Sequence, residues 1–123
     1  MKHIYIAGPM TGIPEFNFPA FNAAADKFRA EGHSVFNPAE RDIERHNGVD
    51  ISKGNATGCQ TEAAKQHGFS LRDALADDTA YICKEATAIA MLPGWENSKG
   101  ARAEWHLAVA LGHEIIYLNN LSA

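Results

Sequence analysis

The sequence predicts an α/β protein, a three-layer sandwich built on a small parallel sheet of four to five strands. Three observations carry this expectation. The first 38 residues read strand, loop, helix, strand, an order that parallel pairing with a right-handed crossover satisfies. The run TAIAML at 87–92 is apolar on both faces, as a central strand covered by helices must be. Short β-prone runs ending on Gly or Pro alternate with longer stretches of helical period.

Taken in order, residues 3–7 form the first apolar run, stopped by Gly8 and Pro9. TGIPEFNFP reads as a loop, because Gly12 and Pro14 break any regular element. Asn17 is placed to cap the next helix, with Pro19 tolerated in its first turn. Phe21, Ala24, Ala25 and Phe28 form that helix's inward stripe, and Gly32 is its stop. Residues 33–37 form a second strand closed by Pro38. Residues 39–68 read as a long polar insertion, either a functional cap or a mobile loop, with one or two helical turns over 41–46. Ser70 caps a helix over 71–84 whose apolar face is Leu71, Leu75, Thr79 and Ile82, with Ala74 and Tyr81 beside it. After TAIAML, PGWEN leads into a helix that starts at Ser98 and stops at Gly112, and EIIYL at 114–118 is a further strand.

The chain has 123 residues, 46% hydrophobic and 21% charged, a composition expected of one globular domain spanning 1–123. A formal charge of −4 argues against a nucleic-acid backbone as the partner, because phosphate backbones select clustered Lys and Arg. It leaves room for one small nucleotide. The two cysteines, Cys59 and Cys83, lack metal or disulfide spacing. No metal or other cofactor is expected. No apolar run approaches the ~20 residues of a membrane span, so a cytoplasmic protein is expected.

The most informative stretch is the last helix. At about 100° per residue, Lys99, Arg102, His106 and His113 share one solvated arc. Glu104 lies on the other side, among Gly100, Leu107, Ala108 and Leu111. A carboxylate on a buried face is costly unless it is paired, hydrogen-bonded or in use. The helix mouth itself suits an anion: free N–H groups, the helix dipole, the Ser98 hydroxyl and Gly100 come together there. In parallel sheets ligands bind at the carboxyl ends of strands. The loop carrying Gly8, Pro9, Met10, Thr11 and Gly12, the loop 93–98 and the polar insertion all converge on that edge.

Of the carboxylates in the preceding helix, Asp77 reads as solvated, whereas Asp78, adjacent to the apolar stripe, can edge into the cleft. A carboxylate nucleophile with a second carboxyl group is the arrangement that cleaves glycosidic bonds. Tyr5 alternates with Ile4 and Ile6 in the first strand, so its hydroxyl is either a partner for the carboxylate or part of the core.

IYIAGPMTG, the Asp78 helix and NSKGARAEWHLAVALG together resemble the nucleoside 2-deoxyribosyltransferase superfamily, including its 2′-deoxynucleoside 5′-monophosphate N-glycosidases. The match is closer to a short phage and prophage family that shares AGPMTG, the LPGWE-x-S-x-GA loop and the Glu-bearing helix. The resemblance covers nearly the whole chain and implies a Rossmann- or flavodoxin-like fold. It also implies Tyr5, three residues before Gly8, as the strand-one tyrosine. Glu104, six residues after Ser98, would be the nucleophile of a covalent glycosyl-enzyme intermediate. Asp78, with Tyr81 and Ile82 after it, would be the catalytic aspartate. Base departure would be followed by transfer to water or a second base. The S-x-G loop implies a phosphorylated substrate, and the superfamily's habit implies a homo-oligomer, with the tail at Asn119 and Asn120 a candidate for completing a neighbour's site. Thr87 stands where the superfamily carries Asp, and the spacing from Asp78 to that strand is one residue longer. The LPGWE and 39–68 segments have no counterpart in the superfamily.

Trp95 or Phe16 could stack on a base; for Trp95 the alternative is a hydrophobic plug. The six histidines show no ligand spacing. The edge formed by Trp105 and Val109, with Ala101, reads as packing or a dimer surface. Two functions therefore stand: an N-glycosidase or deoxyribosyltransferase acting on a small nucleotide or nucleoside, or a non-catalytic nucleotide-binding or sensing protein of the same fold. Thr87 and the shifted Asp78 favour the second.

Overall fold

The computed structural model describes residues 1–45 and 70–118. Expectations for the rest of the 39–68 insertion, for Cys59, His46 and His67, and for the tail at Asn119 and Asn120 fall outside the described residues. Four strands, β1 (His3–Ala7), β2 (Ser34–Phe36), β3 (Ala88–Met91) and β4 (Glu114–Tyr117), form one parallel sheet in the order β2-β1-β3-β4. Four α-helices accompany them among the described residues: α1 (Phe18–Ala30), α2 (Pro38–Arg45), α3 (Leu71–Lys84) and α4 (Lys99–Leu111).

The layers follow from alternation along the strands. Ile4 and Ile6 of β1, with Ala88 and Ala90 of β3, pack against Phe21, Ala24, Ala25 and Phe28 of α1. The intervening Tyr5, Ala7, Ile89 and Met91 face the other way, onto Ile82 of α3 and Ala108 of α4. Period-2 side chains on central strands thus fill two apolar layers, each buried Ile or Phe worth roughly 1.5–3 kcal/mol. The chain turns back at the β1/β3 boundary, the switch point where a doubly wound sheet opens a crevice at its carboxyl edge.

Several local expectations are refined. Ser70 and Ser98 cap α3 and α4, each hydroxyl accepting the N–H three residues on, from Asp73 (3.3 Å) and Ala101 (3.2 Å). Asn17 does not cap α1 through its side chain; its amide donates to the Pro9 carbonyl at 3.0 Å, tying the loop after β1 to the start of α1. The one or two helical turns expected over 41–46 belong to α2, which runs from Pro38 to Arg45 and buries Ala39 and Asp42. Asn37 caps α2 by accepting from Ala39 N–H at 2.9 Å. Arg29 clamps α2 to α1 by a two-pronged bond to Glu40 at 2.6 and 2.7 Å. The inward row of α3 is Ala74, Asp78 and Ile82, not the row starting at Leu71, which is 45% exposed. In α4 the buried row is Ala101, Glu104 and Ala108, while Leu111 is exposed. No helix among the described residues is long and apolar enough to cross a membrane.

Candidate functional site

Strand alternation sends Tyr5 to the α3–α4 side, where it meets the two carboxylates of those helices. Its hydroxyl donates to Glu104 Oε2 at 2.6 Å, at the short end of O–H···O hydrogen bonds. Tyr5, Glu104 and Asp78 are buried, at 1%, 5% and 7% exposure. Phe36 stacks on the Tyr5 ring at 5.5 Å and Tyr81 tilts against it at 6.4 Å, so the phenol has one direction in which to point. The three residues singled out for catalysis therefore converge.

Their electrostatics follow from crowding. Burial, then the neighbouring charge of Asp78, pushes the Glu104 carboxyl up to about 8, against a smaller lowering by the Tyr5 hydrogen bond. The Tyr5 phenol is held well above its ordinary value by burial first, then by the Glu104 and Asp78 charges and hydrogen bonding to both. At neutral pH Glu104 therefore keeps its proton beside the charge of Asp78. One group is then ionised and one is an acid, which is the complement needed for attack on a carbon and protonation of what leaves it.

The mouth of α4 lies beside this pair. The Ser98 oxygen accepts from Ala101 N–H, leaving its own proton to donate. The N–H groups of Lys99 and Gly100 have no intrahelical carbonyl to receive them. A methyl group on Gly100 would meet only Leu75 Cδ2, at 4.0 Å, so the backbone is open to a ligand. Gly8 has a different reason. A Cβ there would sit 2.7 Å from the Leu92 Cβ, so only glycine lets β1 leave the sheet against the end of β3. Beyond this loop Glu15, Phe16 and Asn17 all have positive φ, of 55°, 51° and 60°. This is a left-handed turn that non-glycine residues adopt at a cost of roughly 1–2 kcal/mol each. It directs Phe16 into the interior at 4% exposure.

These groups line one cavity of about 610 Å³, within the range of small-molecule sites. Tyr5, Asp78, Glu104, Gly8, Pro9, Met10, Thr11, Ser98 and Gly100 all contribute to it. Gly12 and Trp95 do not. Gly12 shapes the loop at φ 83°. Trp95 stacks on Trp105 at 5.5 Å and tilts on Tyr117 at 6.2 Å, which makes it the plug rather than the base platform. Trp105 donates to the Tyr117 hydroxyl at 3.1 Å, so this edge of α4 is packing around an aromatic cluster. Asp77 is half-exposed, 3.3 Å from Arg41. Thr87 exchanges hydrogen bonds with the His3 backbone at the amino end of β3, the opposite edge of the sheet from the cavity.

Sequence reasoning missed Asp42, Phe21, Asn97 and Lys99 as lining residues. For Asp42 a signal was present: it sits three residues after Ala39, on the same face of a helix that opens at a strand's carboxyl end. Lys99 was assigned to solvent by the wheel, yet at the first turn of α4 it borders the mouth. Among the described residues no group of three His, Cys, Asp or Glu side chains is placed to hold a metal ion.

Comparison with known proteins gives one match. The family described as Domain of unknown function (DUF4406) matches residues 2–117. No curated protein and no solved structure matches the chain.

Proposed function

The chain belongs to the family described as Domain of unknown function (DUF4406), and from that premise and its cleft we propose that it cleaves the N-glycosidic bond of a small nucleotide or nucleoside. The family description assigns no activity, so the reading rests on the cleft. One observation carries it: a buried Glu104, hydrogen-bonded by Tyr5 and beside Asp78, opens onto a cavity next to a helix mouth suited to phosphate. The resemblance to nucleoside 2-deoxyribosyltransferases supports the same roles.

In this reading the substrate phosphate sits on the Lys99 and Gly100 N–H groups and the Ser98 hydroxyl. Glu104 passes its proton to Asp78, and the resulting carboxylate attacks C1′ of the sugar. The C1′–N bond breaks, its electron pair leaves with the base, and Asp78 delivers the proton to the base nitrogen. The Glu104 ester is then opened by water, which gives its proton to Asp78, or by a second base. Tyr5 orients Glu104 and steadies its charge.

Incubation with a panel of deoxynucleotides and nucleosides, with base release followed by chromatography, tests the reading. Glu104→Gln is expected to lower release by about a thousand-fold or more with an unchanged circular dichroism spectrum. Absence of base release across the panel would remove the enzymatic reading.

A second reading, a nucleotide sensor, is favoured by the Glu104 proton itself, since a neutral carboxyl does not attack carbon. Thermal stabilisation by a nucleotide without turnover would select it. Thr87, at the far edge of the sheet, carries no weight for either reading. The homo-oligomer belongs to the proposal as well, with exposed Val109 and Tyr117 at the rim of α4 and β4 as its contact; sedimentation as a monomer would remove it.

A further inference from the structure

We propose that Asn17 is a positioning residue of the cavity: its side-chain amide holds the loop after β1, and with it the Phe16 ring, in the form that receives a ligand. The inference rests on the reading of this cavity as the substrate site. Asn17 stands at the N-cap of α1, and asparagine is among the best residues for that position. Its side chain makes no capping bond. Its amide donates instead to the Pro9 carbonyl at 3.0 Å, so the two ends of the segment 9–17 are fastened to each other. Pro9, Met10, Thr11 and Phe16, all within that segment, line the cavity. Two backbone bonds shape the segment as successive turns, Ile13 N–H to the Met10 carbonyl at 3.1 Å and Phe16 N–H to the Ile13 carbonyl at 2.9 Å.

The backbone shows what this fastening opposes. Glu15, Phe16 and Asn17 lie consecutively in the left-handed region, at φ 55°, 51° and 60°. Asparagine tolerates that region. Glutamate and, above all, a bulky phenylalanine adopt it only where their surroundings hold them there. Two restraints act on this turn. The Phe16 ring is buried, with the Phe18 ring 6.2 Å away, and the bond from Asn17 to Pro9 follows directly in the chain. Without the amide, residues 15–17 relax toward negative φ. Because Phe16 is part of the turn, its ring then leaves the cavity wall. The chain thus forgoes a helix cap and accepts an unfavourable backbone at adjoining residues, and what both secure is the wall of the cavity. A wall fixed before the ligand arrives has less order to gain on binding, which raises affinity.

Two variants separate this role from a structural one. Asn17→Asp removes the donor and leaves a side chain that caps α1 equally well, through the Ala20 N–H, since Pro19 has none. Asn17→Gly removes the amide and accepts positive φ without steric cost. Each is compared with the native protein by thermal unfolding, by amide hydrogen exchange and by calorimetric titration with the four common 2′-deoxynucleoside 5′-monophosphates. Asn17→Asp is expected to keep or raise the native Tm. Both variants are nevertheless expected to exchange the Ile13 and Phe16 amides about 10-fold faster, with the α1 amides unchanged. Both are expected to bind the preferred nucleotide about 10-fold more weakly. Native exchange rates at Ile13 and Phe16 overturn the proposal, and so does native affinity in either variant. A lowered Tm with affinity retained marks a purely structural asparagine and overturns it as well. If the native protein binds none of the four nucleotides, the substrate reading fails by itself, and the exchange rates alone decide whether Asn17 holds the loop. Should Asn17→Asp not fold, Asn17→Gly carries the same comparison of exchange and affinity.

Discussion

Glu104 is where burial, charge and hydrogen bonding meet on one side chain. Water is excluded, Asp78 repels a second negative charge and only the Tyr5 hydroxyl favours ionisation, so the carboxyl holds its proton to about pH 8. Because the reading needs one proton in the pair, held by Asp78 while Glu104 attacks, kcat/KM falls as pH rises through about 8, where that proton is lost; a flat profile between pH 6 and 9 would contradict those roles. Tyr5→Phe removes the one interaction that lowers the Glu104 value. The falling limb then moves to higher pH, and turnover at neutral pH drops by about 10- to 100-fold because the ionised form of Glu104 is less accessible. A purely structural tyrosine would lower stability without moving the limb.

At the level of elements, the mouth of α4 serves two purposes through one serine. Ser98→Ala removes the acceptor for the Ala101 N–H and is expected to cost about 1 kcal/mol in urea unfolding. It also removes a donor to a bound phosphate, so nucleotide affinity drops more than nucleoside affinity when both are titrated. Gly8 belongs to the same edge but acts through packing. Gly8→Ala forces a methyl group to within 2.7 Å of the Leu92 Cβ and is expected to destabilise by about 1–3 kcal/mol. The helix faces also show how far periodicity reaches. The starts of α3 and α4 follow from Ser70 and Ser98, because capping is local chemistry. The phase of α3 does not follow from its leucines. Leu71 stands at the rim of a cavity, and the inward row passes through Asp78. Hydrophobic patterning assumes that the buried row is the apolar one, and a helix that lines a polar site breaks that assumption.

For the whole molecule, the raised Glu104 value is also a statement about stability. The folded chain binds this proton more tightly than the unfolded chain, whose carboxyl titrates near 4.5. Between about pH 4.5 and 8 the native state therefore binds more protons than the unfolded state, and this group's contribution to stability declines as pH rises. Glu104→Gln removes that slope. Its Tm relative to the native protein is expected to improve from pH 5 to pH 8, and a constant difference would show that the site does not hold the proton. The order β2-β1-β3-β4 places the loops after β1 and β3 side by side, so the site belongs to the topology as much as to its residues.

Much of this was legible in the linear chain. Apolar runs closed by Gly and Pro specified β1 and β3; serine caps and glycine stops bounded the helices; and Glu104 stood out on the wheel, because each of these signals depends on neighbours within a few residues. The tertiary structure alone decided which side chains share a cavity. It turned Asp78 inward, took Trp95 out of the site to stack on Trp105, and brought Asp42 from α2 into the cavity. Those outcomes depend on which layer lies across from which, and layers are set by packing between residues far apart in the chain.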